Sequence, residues 1–457
     1  MKQKILISAK VAIACILLIS ASSFRANAQQ VISLQKAVDL ALANNLTIKQ
    51  AQFTEALDNE TLLQSKFNAL PSISATPQAS YFFGRSINPS TNAFINQNNL
   101  SVNGNLTAQV NLFQGGQIRN QVVQNKILLD ADKTSTAKVK NDLTLNVVTE
   151  YLTILTDQDL VIAAKQQLEI AHITLDRSQK NFDAGNQTLA DLSQAKAQVS
   201  TAEYNLTTAQ NQVDLAILAL KQYMEMKPET EITIEKPDIS KLTNVKTYYD
   251  AQEVLSTALT VNPDVKLAEV QAKAAQQGIK IAEGSYYPTL TLFGVAGSNY
   301  TNLPITFNAA TNSLVSLPFF TQLGNNFNQS IGVQLNIPIF NKFTARTSVR
   351  KAKITYENSE LNARIAKNNL SKIIYQAVSD LRAADKQFQS ATQTYNANKE
   401  AFNVTKQRYD VGLVNSLDYN TALTNLNKAQ NDMIEAQYQV IFRSKVIDYY
   451  LGNQITL

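Results

Sequence analysis

Four stretches of the chain alternate apolar and polar residues with period two. Ile73, Ala75, Ala79 and Tyr81 interleave with Ser72, Ser74, Thr76, Gln78 and Ser80. Leu106, Ala108, Val110 and Leu112 interleave with Asn105, Thr107, Gln109 and Asn111. Thr289 to Tyr300 is less regular and holds Gly294 and Gly297, while Ile331, Val333, Leu335, Ile337 and Ile339 make the cleanest stripe. This is the pattern of strands wetted on one face, predicted over about 72–84, 101–113, 288–299 and 329–340. Between the members of each pair lie loops rich in Gly, Asn, Ser and Pro, roughly 84–100 and 300–328.

Elsewhere the period changes. No proline falls between Gly116 and Phe182 or between Phe343 and Tyr409. Each stretch predicts one long helix, about 115–182 and 342–409, near 100 Å at the α-helical rise. Globular cores do not use helices of that length. Leu192, Ala195, Val199, Ala202, Leu206, Ala209, Val213, Ala216 and Leu220 then run at alternating spacings of three and four. So do Ala345, Val349, Ala352, Tyr356, Ser359, Ala363, Ala366, Leu370, Ile373 and Ala377, and Tyr419 through Ala422, Leu426, Ala429, Met433 and Ala436 to Val440. That is heptad packing of the coiled-coil kind. Gly185 and Gly412 break the long helices and predict the tips of two helical hairpins, whose returning arms cover about 187–225 and 415–450.

The pattern occurs twice. Gln35-Lys36-Ala37-Val38 with Asn45 is echoed by Gln252-Glu253-Val254-Leu255 with Asn262, and Pro71 by Pro288, at an offset of 217. Phe113 with Phe340, Phe182-Asp183-Ala184-Gly185 with Tyr409-Asp410-Val411-Gly412, and Asp191 with Asp418 are offset by 227. An internal two-fold repeat follows, with one loop ten residues longer. The first repeat is 29–225 and the second 251–457, each running helix, two strands, helix, helix. Segment 226–250, with Glu231-Ile232-Thr233-Ile234-Glu235, breaks the pattern and predicts a linker carrying a short strand.

Composition narrows the chemistry. The 457 residues include one Cys, one His and no Trp, and 17% are charged, which is low. Residues 1–28 have a basic flank, a short apolar core from Val11 to Ile19 and the small-x-small end Ala26-Asn27-Ala28, as in a cleaved signal peptide. That leader holds Lys2, Lys4, Lys10 and Arg25 and no acid, so only +1 of the net charge of +5 belongs to the remainder. No basic tract suits nucleic acid. The only cysteine, Cys15, lies in the leader, and His172 is isolated. No thiol nucleophile, metal site or cofactor is expected, and no enzyme. No apolar run after the leader is long enough for a membrane-spanning helix, which leaves the alternating strands as the membrane candidates.

Four strands cannot close a barrel, and open edges in lipid would leave backbone groups unsatisfied. If the strands lie in a membrane, the barrel must be shared between copies. Tyr81, Phe83, Phe113, Tyr287 and Phe340 sit near strand ends, where aromatic belts form at the two interfaces; β-propensity alone also places rings there.

The Leu34 to Asn45 opening, Pro71 and Pro288 at strand starts, Asn111-Leu112-Phe113-Gln114-Gly115-Gly116, Ile337-Pro338-Ile339-Phe340, and Tyr409-Asp410-Val411-Gly412 followed by Ser416-Leu417-Asp418 together resemble the TolC family of outer-membrane efflux and secretion channels. The resemblance covers roughly 33–450. It implies a fold that is mainly α with membrane β: a homotrimer with a shared twelve-stranded β-barrel, continued by a twelve-helix periplasmic coiled-coil α-barrel. It implies a bacterial outer-membrane location, contact with outer-membrane lipid, a periplasmic adaptor, and an inner-membrane transporter of the RND or ABC type. It implies an exit duct without catalysis. The same component serves efflux and type I protein secretion, and the sequence does not separate them. A periplasmic coiled-coil structural or adaptor protein is the competing class, although no lipoyl-like β-domain lies between the hairpin helices.

The resemblance also assigns sites. Asp418 matches a position where family members carry acids that narrow the tunnel entrance; a second acidic position is here Thr421. Three copies of Asp418 would make a carboxylate ring that favours cations. Asp191 is its counterpart at the first tip. Both acids could instead cap a turn. Gly185, Gly412, Leu189, Leu413 and Leu417 are candidate adaptor-docking residues; intramolecular packing is the alternative for the leucines.

Overall fold

The computed structural model describes residues 30–87, 92–96, 98–237, 246–303, 306–310 and 312–453. The leader expected over 1–28, the middle of the 226–250 linker and the last four residues lie outside them.

The chain opens with strand β1 (Gln30–Ile32), then helices α1 (Leu34–Asn44) and α2 (Leu46–Phe67). Strand β2 (Ser72–Phe82), the short strands β3 (Arg85–Ile87) and β4 (Phe94–Asn96), and β5 (Asn99–Gln114) follow. Helices α3 (Gln117–Asp183) and α4 (Leu189–Tyr223) complete this half, and β6 (Ile232–Ile234) lies in the linker. The second half brings α5 (Ala251–Val261), α6 (Pro263–Glu283), β7 (Thr289–Thr301), β8 (Thr306–Asn308) and β9 (Ser313–Val315). Helix α7 (Phe319–Asn325), β10 (Asn328–Asn336), α8 (Thr344–Asp410) and α9 (Ser416–Tyr450) end it.

Two compact units result. One comprises Met1–Lys49, Lys138–Asn262 and Leu370–Leu457, the other Gln50–Ala137 and Pro263–Asn369. Neither coincides with a half of the sequence, since each gathers segments from both.

The second unit contains a four-stranded antiparallel sheet in the order β10-β7-β5-β2. Its register aligns the apolar positions. Ile73 stands opposite Ala108, Ala108 opposite Gly294, and Gly294 opposite Ile331. A parallel row runs through Val110, Leu292 and Val333. A one-residue slip would move every such side chain to the other face, so the alternation fixes the pairing. The opposite face is mostly polar, with Thr291 donating to Asn111 Oδ1 at 2.9 Å. Phe293 and Val295 are exceptions, and Phe293 lies against Gly332, where an added Cβ would stand 2.8 Å from the ring. Strands β2 and β10 each have one edge without a partner strand among the described residues. The large apolar side chains Ile73, Ile331, Val333 and Leu335 are exposed in the single chain.

The core of the first unit forms where β1 and β6 pair in parallel. Ile32, Ala37, Ala41, Val147, Leu155, Leu220, Met224, Ile234 and Ile441 are buried there. Tyr151 places its hydroxyl within hydrogen-bonding distance of the Ile32 and Glu235 carbonyls, which closes the end of this small sheet. Asp159 takes a hydrogen bond from Tyr438 at 2.7 Å and an ion pair from Lys236, so the linker is tied to both long hairpins.

Four expectations are corrected. The stripe through Ile337 and Ile339 does not extend the last strand to about 340. Strand β10 ends at Asn336, opposite the first residue of β7, and Pro338 has no N–H to offer a ladder. The described parts of the loops near 84–100 and 300–328 hold short strands: β3 pairs with β4, and β8 with β9. Buried Gln322 on α7 accepts from Thr301 N at 3.1 Å and donates to the Thr301 and Leu317 carbonyls. The opening helix of each half is two helices, broken at Asn45 and Asn262, the echoed pair. Asn45 accepts from Thr47 N at 2.9 Å, restarting the chain as a cap, and Asn262 precedes Pro263, which suits a first helical position. Along α8 the buried seam passes from Leu370 to Ile374, leaving Ile373 exposed, because 3.6 residues per turn drifts against a strict heptad.

Element bounds recur at fixed offsets. Helices α1 and α5 begin 217 residues apart, and α3 and α8, like α4 and α9, begin and end 227 apart. Backbone conformation recurs as well: Gly115 and Gly116 have positive φ, and so do Lys342 and Phe343, 227 residues on. Glu225 and Gly452 form another such pair.

Candidate functional site

Both hairpin tips lie in the first unit. At the first, Asn186 N donates to Asn181 O at 2.8 Å and Gly185 N to Phe182 O at 2.9 Å. At the second, Leu413 N donates to Arg408 O at 2.8 Å and Gly412 N to Tyr409 O at 3.1 Å. These bonds occupy the last free carbonyls of α3 and α8. Gly185 and Gly412 hold φ of +76° and +77° with open space around a would-be Cβ, so conformation rather than crowding demands glycine.

The returning helices are capped differently. Thr188 and Asp191 form a reciprocal capping box on α4. The Asp191 carboxylate accepts from Thr188 N at 3.1 Å, from the Thr188 hydroxyl at 2.7 Å, and from the Ser416 hydroxyl of the other tip. The Ser416 bond, then those from Thr188, hold its carboxyl below the usual carboxylate range. On α9 the cap is Asn415, whose side chain accepts from Asp418 N at 2.8 Å. The Asp418 carboxylate is exposed and makes no hydrogen bond or ion pair to any described residue. Thr421 is exposed one turn later, and its hydroxyl donates to Leu417 O at 2.8 Å. Leu189, Leu413 and Leu417 are exposed at the two tips with Val411.

A second set of contacts joins the two hairpins. Arg177 on α3 pairs with Asp410 and donates to the Tyr409 and Asp410 carbonyls at 3.3 and 3.2 Å. Its guanidinium lies 4.7 Å from the centre of the Tyr409 ring. Gln187 donates to the Tyr409 hydroxyl at 2.9 Å. Tyr409 stacks on Tyr419 at 4.7 Å and 28°, and the Tyr419 hydroxyl lies 3.3 Å from that of Thr174. Burial pushes the Tyr419 phenol up. Two buried side-chain oxygens here, Gln187 Oε1 and Asn420 Oδ1, have no hydrogen-bond partner among the described residues. Sequence reasoning found Tyr409 and Asp410 only as parts of a motif and Tyr419 only as the head of a heptad stripe, and it missed Arg177 and Gln187. Arg177 and Gln187 meet partners more than two hundred residues away, and no local pattern marks such a pair.

The aromatic residues expected near strand ends fall at both ends of the sheet. Tyr81 and Phe83 are at one, with ring centres 4.9 Å apart. Phe113, Tyr287 and Phe340 are at the other, and all five are exposed. Tyr81 stands opposite Leu100, and the strand rise from there to Phe113 on β5 puts the two groups about 40 Å apart along the strand. Among the described residues no cluster of three or more His, Cys, Asp or Glu could hold a metal, and no helix is long and apolar enough to cross a membrane.

Comparison with known proteins agrees with this geometry. The family model described as outer membrane efflux protein matches residues 37–224 and 254–453. Toxin and drug export protein A of Aggregatibacter actinomycetemcomitans is 25% identical over 309 residues, 66% of this chain and 62% of that protein, so the match spans less than two thirds of that relative. Outer membrane protein TolC of Salmonella enteritidis is 23% identical over 366 residues, 79% of this chain and 70% of the relative. The crystal structure of the outer membrane protein VceC from Vibrio cholerae has the same fold, with a TM-score of 0.73, 18% identity, and coverage of 92% of this chain and 96% of that one. A sheet with a continuous exposed apolar face, leading into two long helical hairpins, is thus the fold of TolC-like channels, and the chain belongs to the outer membrane efflux protein family, located in the outer membrane and extending into the periplasm.

Proposed function

We propose that this protein is the outer-membrane exit duct of a tripartite efflux system. It passively conducts small molecules delivered by an inner-membrane RND or ABC-type transporter through a periplasmic adaptor. Three copies share a twelve-stranded barrel and a twelve-helix tunnel, each copy contributing two repeats of two strands and two long helices. The observation that carries this reading is the four-stranded sheet, apolar along one face and unpaired at both edges. In lipid those edges need partner strands, and sister copies of the same sheet supply them without further residues. The relatives' names, a toxin and drug export protein among them, support export of small molecules. Secretion of proteins through the same duct is the alternative, since it asks nothing different of the outer component.

The tips form the periplasmic entrance. The tie of Arg177 to Asp410 and Tyr409, and of Ser416 to Asp191, holds the two hairpins of each copy together and keeps the entrance narrow. Asp418, whose carboxylate has no partner among the described residues, contributes a carboxylate ring. Val411, Leu413 and Leu417, with Gly412, offer the adaptor an apolar turn. Planar-bilayer recording tests the reading: purified protein forms channels, and Arg177→Ala raises their conductance. Absence of any conductance from correctly folded protein, in wild type and variant alike, refutes the duct.

A further inference from the structure

The turn between β10 and α8 is chemically unlike the rest of its unit. Between Glu283 and Lys342 the sequence has no charged residue at all. Then Lys342, Arg346, Arg350, Lys351 and Lys353 follow within twelve positions, and the next acid is Glu357. All five are exposed, and none pairs with a carboxylate among the described residues. Directly before and among them stand Ile339, 95% exposed, and the exposed rings of Phe340 and Phe343, packed edge to face at 5.6 Å. Ile337 and Ile339 prolong the parity of the apolar stripe of β10 after the strand has ended.

The backbone adds an independent observation. Lys342 and Phe343 hold φ of +55° and +61°, a conformation that side-chain-bearing residues resist. At the matching turn of the first half the same conformation belongs to Gly115 and Gly116. There the turn is closed: a Cβ on Gly115 would lie 3.0 Å from Tyr287 Cβ and well inside contact with the Gly284 carbonyl oxygen. Gln117 donates to the Ser285 hydroxyl at 3.1 Å. That junction carries Arg119 as its nearest charge. The second turn therefore accepts strain in order to project a lysine and a phenylalanine outward, where glycine would have served the backbone. Strain retained at an exposed site points to a use for those side chains.

We propose that the Ile339–Arg350 segment is a binding site for anionic phospholipid of the periplasmic leaflet. The apolar side chains enter the acyl boundary, and Lys342, Arg346 and Arg350 meet phosphate headgroups. The proposal rests on the barrel reading above. The apolar residues are continuous with the sheet's apolar face, and the charge is complementary to such headgroups. Arg346 lies about 6 Å and Arg350 about 12 Å along the helix from Lys342, within reach of the interfacial layer for long side chains that snorkel. Lys351 and Lys353 add to the field over a Debye length.

The test uses the full-length protein in vesicles of phosphatidylcholine with and without cardiolipin, and native mass spectrometry of the lipids it retains. Wild type keeps cardiolipin over phosphatidylcholine by about tenfold or more, given roughly fivefold for each basic group at a charged surface. Raising the salt erodes this preference. The combined Lys342→Gln, Arg346→Gln and Arg350→Gln variant loses it, whereas Arg119→Gln at the other junction keeps it. Equal retention of both lipids by wild type, or a preference indifferent to salt and to the triple variant, overturns the proposal. If the triple variant does not assemble, the salt titration on wild type decides alone. Integration is measured separately, as resistance to alkaline extraction: protein that integrates without lipid preference removes only this proposal, and protein that does not integrate removes the barrel reading with it. Should the basic residues pair with carboxylates of a second copy, the triple variant weakens the oligomer while lipid selectivity stays absent, which also overturns it.

Discussion

Asp191 and Asp418 occupy the same place, the third residue of helices that begin 227 residues apart. One carboxylate is consumed by three hydrogen bonds that shape its own turn and fasten the other hairpin. The other has none, because Asn415 takes over the capping. The strand-to-helix junctions differ in the same manner, with Gly115 packed inward against Gly284 and Tyr287, and Lys342 and Phe343 turned outward on like backbone. Where two halves keep one backbone and change the side chains, the backbone records the fold and the difference records specialised work. Position in a repeat therefore assigns a residue its geometry but not its role.

The sharpest way to break the junction comparison is Gly115→Ala. The added methyl meets the Gly284 carbonyl on a backbone of positive φ, and a loss of about 3 kcal/mol is expected, read as a lower melting temperature and poor assembly. Lys342→Gly, at the matched position, should instead gain about 1 kcal/mol. Similar losses at both sites would mean that the two turns are equivalent after all. For the tips, Gly412→Val should cost about 1–2 kcal/mol through its φ alone, measured by local hydrogen exchange of Gln407 to Leu413.

The comparison of acids is sharpened by Asp191→Asn against Asp418→Asn. The first should cost about 1 kcal/mol, the worth of a cap, and loosen the Ser416 tie. The second should leave stability unchanged and lower cation preference in single-channel recordings. A cation preference untouched by Asp418→Asn would remove the carboxylate ring. Because the Asp191 carboxyl is held below its ordinary range, its contribution is present near neutral pH and fades as pH falls through the lowered value.

The smallest effect expected has the opposite sign. Asp132 is pushed up to about 6, first by burial and then by the neighbouring Asp58 and Glu55. Stability from this group is therefore present in acid and declines as pH rises from about 4 to about 6. Asp132→Asn should flatten that slope in thermal melts and raise stability at neutral pH by up to about 1 kcal/mol. An unchanged slope would show that burial and the neighbouring Asp58 and Glu55 do not raise the Asp132 carboxyl.

Much of this was legible in the sequence. Period-two alternation locates the four long strands, because a half-wet sheet must alternate. Heptad spacing locates the buried seam of α4, where Leu192, Ala195, Val199 and Ala202 are buried, because packed helices must present one face. Gly185 and Gly412 announce the tips through conformational freedom. The less legible parts have physical reasons of their own. The end of β10 depended on where β7 begins, and Ile373 lost its place to Ile374 through accumulated helical drift. Gln322, polar and unremarkable in sequence, is buried because Thr301 and Leu317 surround it with backbone groups.

By itself the sequence determined the four long strands, the long helices and their amphipathic faces, since each is set by interactions within a few turns of helix or along one strand. Only the tertiary structure decided the strand order β10-β7-β5-β2, the division into two units that cross the repeat, and the link from Arg177 to Asp410. Those choices depend on which distant surfaces meet, and a residue carries no local sign of a partner two hundred positions away.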